Sequence, residues 1–393
     1  MIYLDHAATS FPKPAAVMEA MARYLTDAGN PGRSGHRLAR AGEETIWNAR
    51  RAIADLVDGT DPDRVVFAAN ATAALNTAIK GLVQPGDRIL STAYEHNSVV
   101  RPAHALAGSD VTWTPVPPTS DEPVDLDRLE AELRRGGVRV VAVAHASNVT
   151  GAVVPLRAVH ALTTRYGATL VVDAAQTAGH RPVSVRDADV LVFAGHKGLL
   201  GPQGTGGMYV GDHVAIRPLI HGGTGGRSEL RDQPRWLPWA LESGTPNGVG
   251  VAGLAAGVRH VAEHTPEAIA DRERTLRAAL LDGLRHIEHV TVHEQPSSEA
   301  PVGVISVTID GLPAVDAAAL LEERHDIMVR GGLHCAPVAH ETLGTAAHGT
   351  VRLSLSHLNS DTDVKSALEG VAATAESVHT LRPSPLSTPS ERA

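Results

Sequence analysis

The chain has 393 residues, 43% of them hydrophobic but only 3% aromatic, and a formal net charge of −9. That length allows two or three domains around an aliphatic core, and an acidic balance without a basic block argues against nucleic acid as a partner. No apolar run approaches the ~20 residues that span a bilayer, an element starting almost at Met1 is expected to leave no room for a signal peptide, and the single cysteine, Cys335, excludes an internal disulfide; the expected setting is the cytoplasm.

Residues 3–10 read as a short strand entering a polar turn, and Pro12 and Pro14 delay the first helix to 15–24. A glycine-rich loop over 30–37, containing His36, precedes a helical pattern that runs to 57. A brief strand at 65–67 leads to Asn70-Ala71-Thr72, where the next helix opens. Strands and helices then alternate: 88–90 and 99–106, 111–116 and 126–134, 138–144 and 156–166, followed by strands at 168–172 and 189–193. This alternation predicts an α/β fold with a large, mostly parallel sheet covered by helices on both faces. Near 250 the texture changes to long helical patterns (251–264, 266–286), then to strands at 302–309, 327–329 and 350–355 around a helix at 314–323. The expected division is an N-terminal segment, 1–14, packing on the small domain; a large domain, 15–250; a small α+β domain, 251–378; and a disordered Pro/Ser-rich tail, 379–393.

Only four lysines occur: Lys13, Lys80, Lys197 and Lys365. Lys197 alone follows a buried-looking strand and sits between glycines, Gly195 and Gly198, that let the backbone bend sharply. An amine placed there by a rigid strand suits Schiff-base chemistry. Asp173 ends the neighbouring strand at the carboxyl edge, where open α/β sheets bind ligands. A carboxylate on one strand and a lysine on the next is what pyridoxal phosphate requires: the acid keeps the ring nitrogen protonated and the amine carries the aldehyde.

Other residues gather on that rim. Asn70-Ala71-Thr72, at a helix N-terminus, suits a phosphate or merely caps the helix. His96 stacks on a planar group or is one loop histidine among 21. Asn148, after the strand at 138–144, holds a ligand or shapes a turn, and Gln176 lies three residues past Asp173 on the same rim. The glycine-rich stretches at 201–207 and 221–226 lack the spacing of a nucleotide loop. Cys335, after Leu333-His334, is a nucleophile or an inert buried thiol, and Arg352 on the next strand offers a two-pronged grip for a carboxylate. A metal site from His334, Cys335, His340 and His348 has irregular spacing and a single thiolate.

Together these motifs resemble the cysteine desulfurase and selenocysteine lyase family, class V aminotransferase-like enzymes of fold-type I. The ordered matches are Tyr3-Leu4-Asp5-His6-Ala7-Ala8-Thr9, Asn70-Ala71-Thr72, Glu95-His96, Ser147-Asn148-Val149, Asp173-Ala174-Ala175-Gln176, Gly195-His196-Lys197, Gly222-Gly223-Thr224, Gly244-Thr245-Pro246-Asn247 and Leu333-His334-Cys335-Ala336-Pro337. The resemblance implies a pyridoxal 5′-phosphate enzyme in which Lys197 carries the cofactor and Asp173 pairs with its ring nitrogen. His96 stacks on the ring, and Gln176 and Asn148 bond near its phenolic oxygen. Thr72 and His196 hold the phosphate, with Asn70 and Ala71 in the same cradle. Thr224 reaches the phosphate of a neighbouring subunit, which implies a homodimer. Arg352 grips the substrate carboxylate, with Asn148 and His36 also at the substrate. Cys335 takes the sulfur as a persulfide, its thiolate favoured by surroundings such as His334, and alanine leaves. The short chain between Cys335 and Arg352 implies a thiol that depends on a small acceptor. Two departures stand out: Ala194 where the family usually has a hydroxyl, and Ala73 where a glutamate is common. The alternative on the same scaffold is a C–S lyase, epimerase or decarboxylating enzyme of a specialised pathway.

Overall fold

The computed structural model describes residues 1–32, 34–225 and 229–380. Most of the expected disordered tail, and Gly226 at the end of the second glycine-rich stretch, lie outside the described residues. Strand β1 (Ile2–Tyr3) leads through a polar turn to α1 (Ala15–Asp27) and α2 (Arg37–Leu56). A seven-stranded sheet follows, built from β2 (Val65–Ala68), β3 (Arg88–Thr92), β4 (Thr112–Val116), β5 (Val138–Ala144), β6 (Thr169–Asp173), β7 (Val190–Ala194) and β8 (Gly206–Val210), in the order β2-β8-β7-β6-β5-β3-β4. The crossover helices are α3 (Ala71–Leu82), α4 (Asn97–Ala107), α5 (Leu126–Arg134) and α6 (Leu156–Tyr166).

The central strands read as unbroken apolar runs because both sheet faces are covered. Along β5, β6 and β7 the side chains alternate between two cores: Val141, Val143, Leu170, Val172, Leu191 and Phe193 fall in one. Val140, Ala142, Val171, Val190, Val192 and Ala194 fall in the other, with α3. β3 to β7 run parallel, whereas β8 pairs antiparallel with both β7 and β2. Part of the first glycine-rich stretch is therefore strand, not loop. Its glycines answer to packing: a Cβ on Gly207 would fall 2.3 Å from the Val66 carbonyl oxygen, and one on Gly206 2.7 Å from the Asn70 carbonyl carbon. The missing side chains let the start of α3 lie directly on the sheet.

After α7 (Gly248–His264) and α8 (Pro266–Arg285), an antiparallel four-stranded sheet in the order β12-β13-β10-β9 forms from β9 (Val290–His293), β10 (Val304–Ile309), β12 (Arg330–Gly332) and β13 (Thr350–Ser354). It packs with α9 (Ala314–His325) and α11 (Asp361–Thr380), while β11 (Ile327–Met328) pairs in parallel with β1. A short helix, α10 (Pro337–Thr342), begins two residues after Cys335. β9, β12 and α10 are too short to leave a period in the sequence.

Candidate active site

The carboxyl ends of the parallel strands and the edge of the small sheet enclose a cavity of about 220 Å³. Register brings its floor together: Asp173 lies beside Ala144 of β5 and Val192 of β7. Asp173 continues the face of Val171, toward α3, and its Oδ1 accepts from the Ala175 N–H at 2.9 Å. Burial raises the Asp173 carboxyl above its ordinary range, against the pull of that N–H and of Lys197. Lys197 opens into the same cavity just past β7. Burial brings its amine down to about 8 even though Asp173 favours the charge, and Arg352 and Arg330 push in the direction of burial. The result is an amine that sheds its proton near pH 8, beside the Asp173 carboxyl.

At the start of α3, the Asn70 Oδ1 accepts from the Ala73 N–H at 2.9 Å, so Asn70 does cap the helix. Ala71 and Thr72 also line the cavity, and Thr72 Oγ1 lies 2.7 Å from Ser98 Oγ. A helix N-terminus with two hydroxyls is suited to an anion. His96 caps α4 through its Nδ1, which accepts from the Ser98 N–H at 3.0 Å. Burial, then Lys197 and the nearby arginines, hold its ring neutral, down to about 4. His196 is lowered likewise to about 4, first by burial and then by Lys197, and its Nδ1 lies 3.0 Å from Thr9 Oγ1. Gln176 donates to the Ala7 carbonyl at 3.1 Å, and Asn148 donates to the His334 carbonyl at 2.7 Å. Ala194 lines the wall without a hydroxyl.

Arg352 is 1% exposed. Its Nη2 donates to Asp5 at 2.8 Å and its Nη1 to the Asn148 carbonyl at 3.2 Å, while its buried Nε has no hydrogen-bond partner. A buried, lining guanidinium with a donor to spare calls for an anion. Arg330 pairs with Arg352 in register across β12 and β13 and also lines the cavity. Cys335 is exposed beside that rim, with Sγ 3.6 Å from Arg330 Nη2. Both His334 and Cys335 have left-handed backbone, with φ of 49° and 57°. The turn is pinned by the Asn97 N–H, which donates to the Cys335 carbonyl at 2.7 Å.

The expected role of His334 needs correction. Its Nε2 lies 3.0 Å from both the carbonyl oxygen and Oγ1 of Thr350, and burial drives its pKa far below the usual histidine range. A neutral, inward-turned imidazole offers the thiol no cation; Arg330 does. Two other expected residues lie away from the cavity. His36 is exposed and caps α2, its Nδ1 accepting from the Ala39 N–H at 3.2 Å. Thr224 lines a separate, larger concavity with Trp47, Trp236 and Trp239. Among the described residues no group of three His, Cys, Asp or Glu side chains is arranged to hold a metal.

Sequence reasoning gave no role to Arg330, Ser98 or Lys13. Lys13 Nζ donates to the His196 carbonyl at 2.8 Å and to Ser10 Oγ at 2.6 Å. Arg330 had a readable signal, since two arginines on adjacent strands beside a lone thiol make an anion site. Lys13 had none, because its partner lies 183 residues away.

The chain is similar to known proteins over nearly its whole length. The sequence pattern of the aminotransferase class-V family matches residues 2–366. A probable cysteine desulfurase of Pyrococcus abyssi is 35% identical over 94% of this chain and 92% of its own length. The solved structure of an apo cysteine desulfurase from Thermococcus onnurineus NA1 superposes with a TM-score of 0.88 at 33% identity, covering 96% of this chain and 95% of that one. The cysteine desulfurase CsdA of Escherichia coli gives a TM-score of 0.84 at 28% identity, covering 95% and 94%. With the lysine, the carboxylate, the helix N-terminus and the buried arginine on one rim, and the family pattern running almost end to end, the chain belongs to the aminotransferase class-V family.

Proposed function

We propose that this chain is a pyridoxal-phosphate-dependent cysteine desulfurase, which converts L-cysteine to L-alanine and takes the sulfur onto Cys335. The observation that carries this reading is the meeting of Lys197, Asp173 and Arg352 in one cavity with the Cys335 thiol at its rim. The residues fit the cofactor: the α3 N-terminus with Thr72, Ser98 and His196 would hold its phosphate, Asp173 its ring nitrogen, His96 its face, and Asn148 and Gln176 its phenolic edge. Bound there, pyridoxal phosphate supplies an electron sink for the bonds at the amino acid's Cα.

The chain's own groups do the rest. Arg352, held by Asp5, receives the substrate carboxylate. Lys197, with its amine near 8, would hold the cofactor and is placed to take the Cα proton. The Cys335 thiolate, beside Arg330, attacks the substrate sulfur. The C–S bond breaks as the new S–S bond forms, so that enzyme thiol and cysteine become enzyme persulfide and alanine.

A homodimer completes the proposed assembly. Leu219, Ile220, Trp47, Trp236 and Trp239 are 47%, 68%, 39%, 43% and 39% exposed around the concavity that holds Thr224, and a second copy would cover them. The pinned turn at Cys335 supports dependence on a sulfur acceptor or small thiol. No helix among the described residues is long and apolar enough to cross a membrane, and we place the enzyme in the cytoplasm. The test is to incubate the loaded protein with L-cysteine, with and without dithiothreitol. Alanine and sulfide in equal amounts, formed faster with the thiol, are expected; pyruvate and ammonia in place of alanine would point to the C–S lyase instead.

A further inference from the structure

A buried carboxylate outside the cavity joins the two halves of the site. Glu273, on α8, is 3% exposed. Its Oε1 accepts from Nδ1 of His180 at 2.9 Å and from the backbone N–H of His357 at 3.2 Å. His180 lies in the turn after β6 and is 8% exposed. Its ring is packed on the turn that follows Lys197: a Cβ at Gly198 would fall 2.5 Å from His180 Cδ2 and 2.4 Å from the Ala178 carbonyl oxygen. Gly179, at φ 86°, closes the same contact, since a Cβ there would fall 2.3 Å from the Gly198 carbonyl oxygen. His357 stands three residues beyond β13, the strand that carries Arg352.

Neither His180 nor Glu273 touches the cavity, so the proposed chemistry makes no use of them. Burial favours the neutral ring of His180, and Lys197 nearby adds to that. Glu273 outweighs both and raises the His180 pKa, so the contact favours the protonated ring over the neutral one. Two other rings face it, those of His6 and His357, both held neutral, first by burial. The pair thus bridges a turn of the large sheet and the end of a strand of the small one.

On the reading of Lys197 and Arg352 given above, we infer that His180 and Glu273 are positioning residues, which set the spacing between the Lys197 amine and the Arg352 guanidinium across the joint of the two sheets. A ligand held at both its amine and its carboxylate depends on that spacing; a ligand held only at its amine does not. A separate cleft of about 220 Å³ is lined by both His180 and Glu273, so a small solute can enter from there.

The experiment titrates Glu273→Gln and His180→Ala, loaded with pyridoxal phosphate, with L-alanine and with ethylamine, following visible absorbance. The half-saturating concentration of alanine is expected to rise about tenfold or more in both variants, and that of ethylamine less than about threefold. Added imidazole is expected to return His180→Ala toward the wild-type value for alanine. Equal shifts for the two amines, or none, overturn the inference. Should Glu273→Gln fail to fold, His180→Ala with and without imidazole decides alone. A wild-type protein that responds to ethylamine but not to alanine would overturn the amino-acid reading itself, and the brace with it.

Discussion

Two regions present a reactive side chain, and they do so in opposite ways. Lys197 follows a strand whose five residues are all buried, and its turn is packed so closely that glycine is required at 198. Cys335 stands exposed on a left-handed turn between a three-residue strand and a six-residue helix. The lysine draws its reactivity from desolvation, which only a strand end deep in the fold supplies. On the proposed reading the thiol passes sulfur to another molecule, which its exposed position permits. Its rigidity comes instead from two hydrogen bonds to the turn's carbonyls, from the Asn97 N–H and the Asn148 amide. Left-handed backbone at two consecutive non-glycine residues, a strain on the order of 1–3 kcal/mol each, persists because those bonds hold it.

The sharpest way to break the comparison is at the lysine. Lys197→Ala is expected to lower turnover by at least about 10³-fold, as the loss of a positioned base does, with the melting temperature nearly unchanged. If that variant kept both the visible band and its activity, the anchor would have to be another amine. Lys13, beside the His196 carbonyl, would be the first to test. Cys335→Ala is expected to separate the regions: the cofactor band stays, while alanine formation from cysteine falls on the order of 10²-fold, about 2.7 kcal/mol of barrier. Undiminished alanine and sulfide would mean that the exposed thiol is idle.

The smallest effect concerns desolvation itself. A lowered lysine pKa means that the neutral, attacking amine is already half populated near pH 8. The rate at which the cofactor-free protein captures pyridoxal phosphate should therefore rise with pH through about 8 and then level off. A rate still climbing tenfold per unit up to pH 10 would describe an ordinary ammonium and remove the contrast with a solvent-exposed group.

The two regions also differed in how far they could be read in advance. The bounds of β5, α5 and α6 match the apolar pattern residue for residue, because a strand buried on both faces and a helix with one apolar stripe each leave a period. β8 was hidden, since nothing in its glycine-rich start marks a strand until the helix start packed against it comes into view. The small domain's edge is built from pieces of two to six residues, too short for any period, and there the roles drifted. His334 was credited with the cation that Arg330 supplies.

The sequence by itself determined the residue types at the strand ends: Asp173, Lys197, Asn148 and Thr72 must share one rim once parallel strands alternate with helices, because the carboxyl ends of such strands all point the same way. Only the tertiary structure decided what those residues meet. That Arg330 lies opposite Arg352, that Asp5 holds the guanidinium from 347 positions away, and that Glu273 braces the lysine turn through His180 all depend on contacts between segments far apart in the chain. Local spacing carries no record of such contacts, because it encodes which face a side chain takes and not which distant segment will be packed against that face.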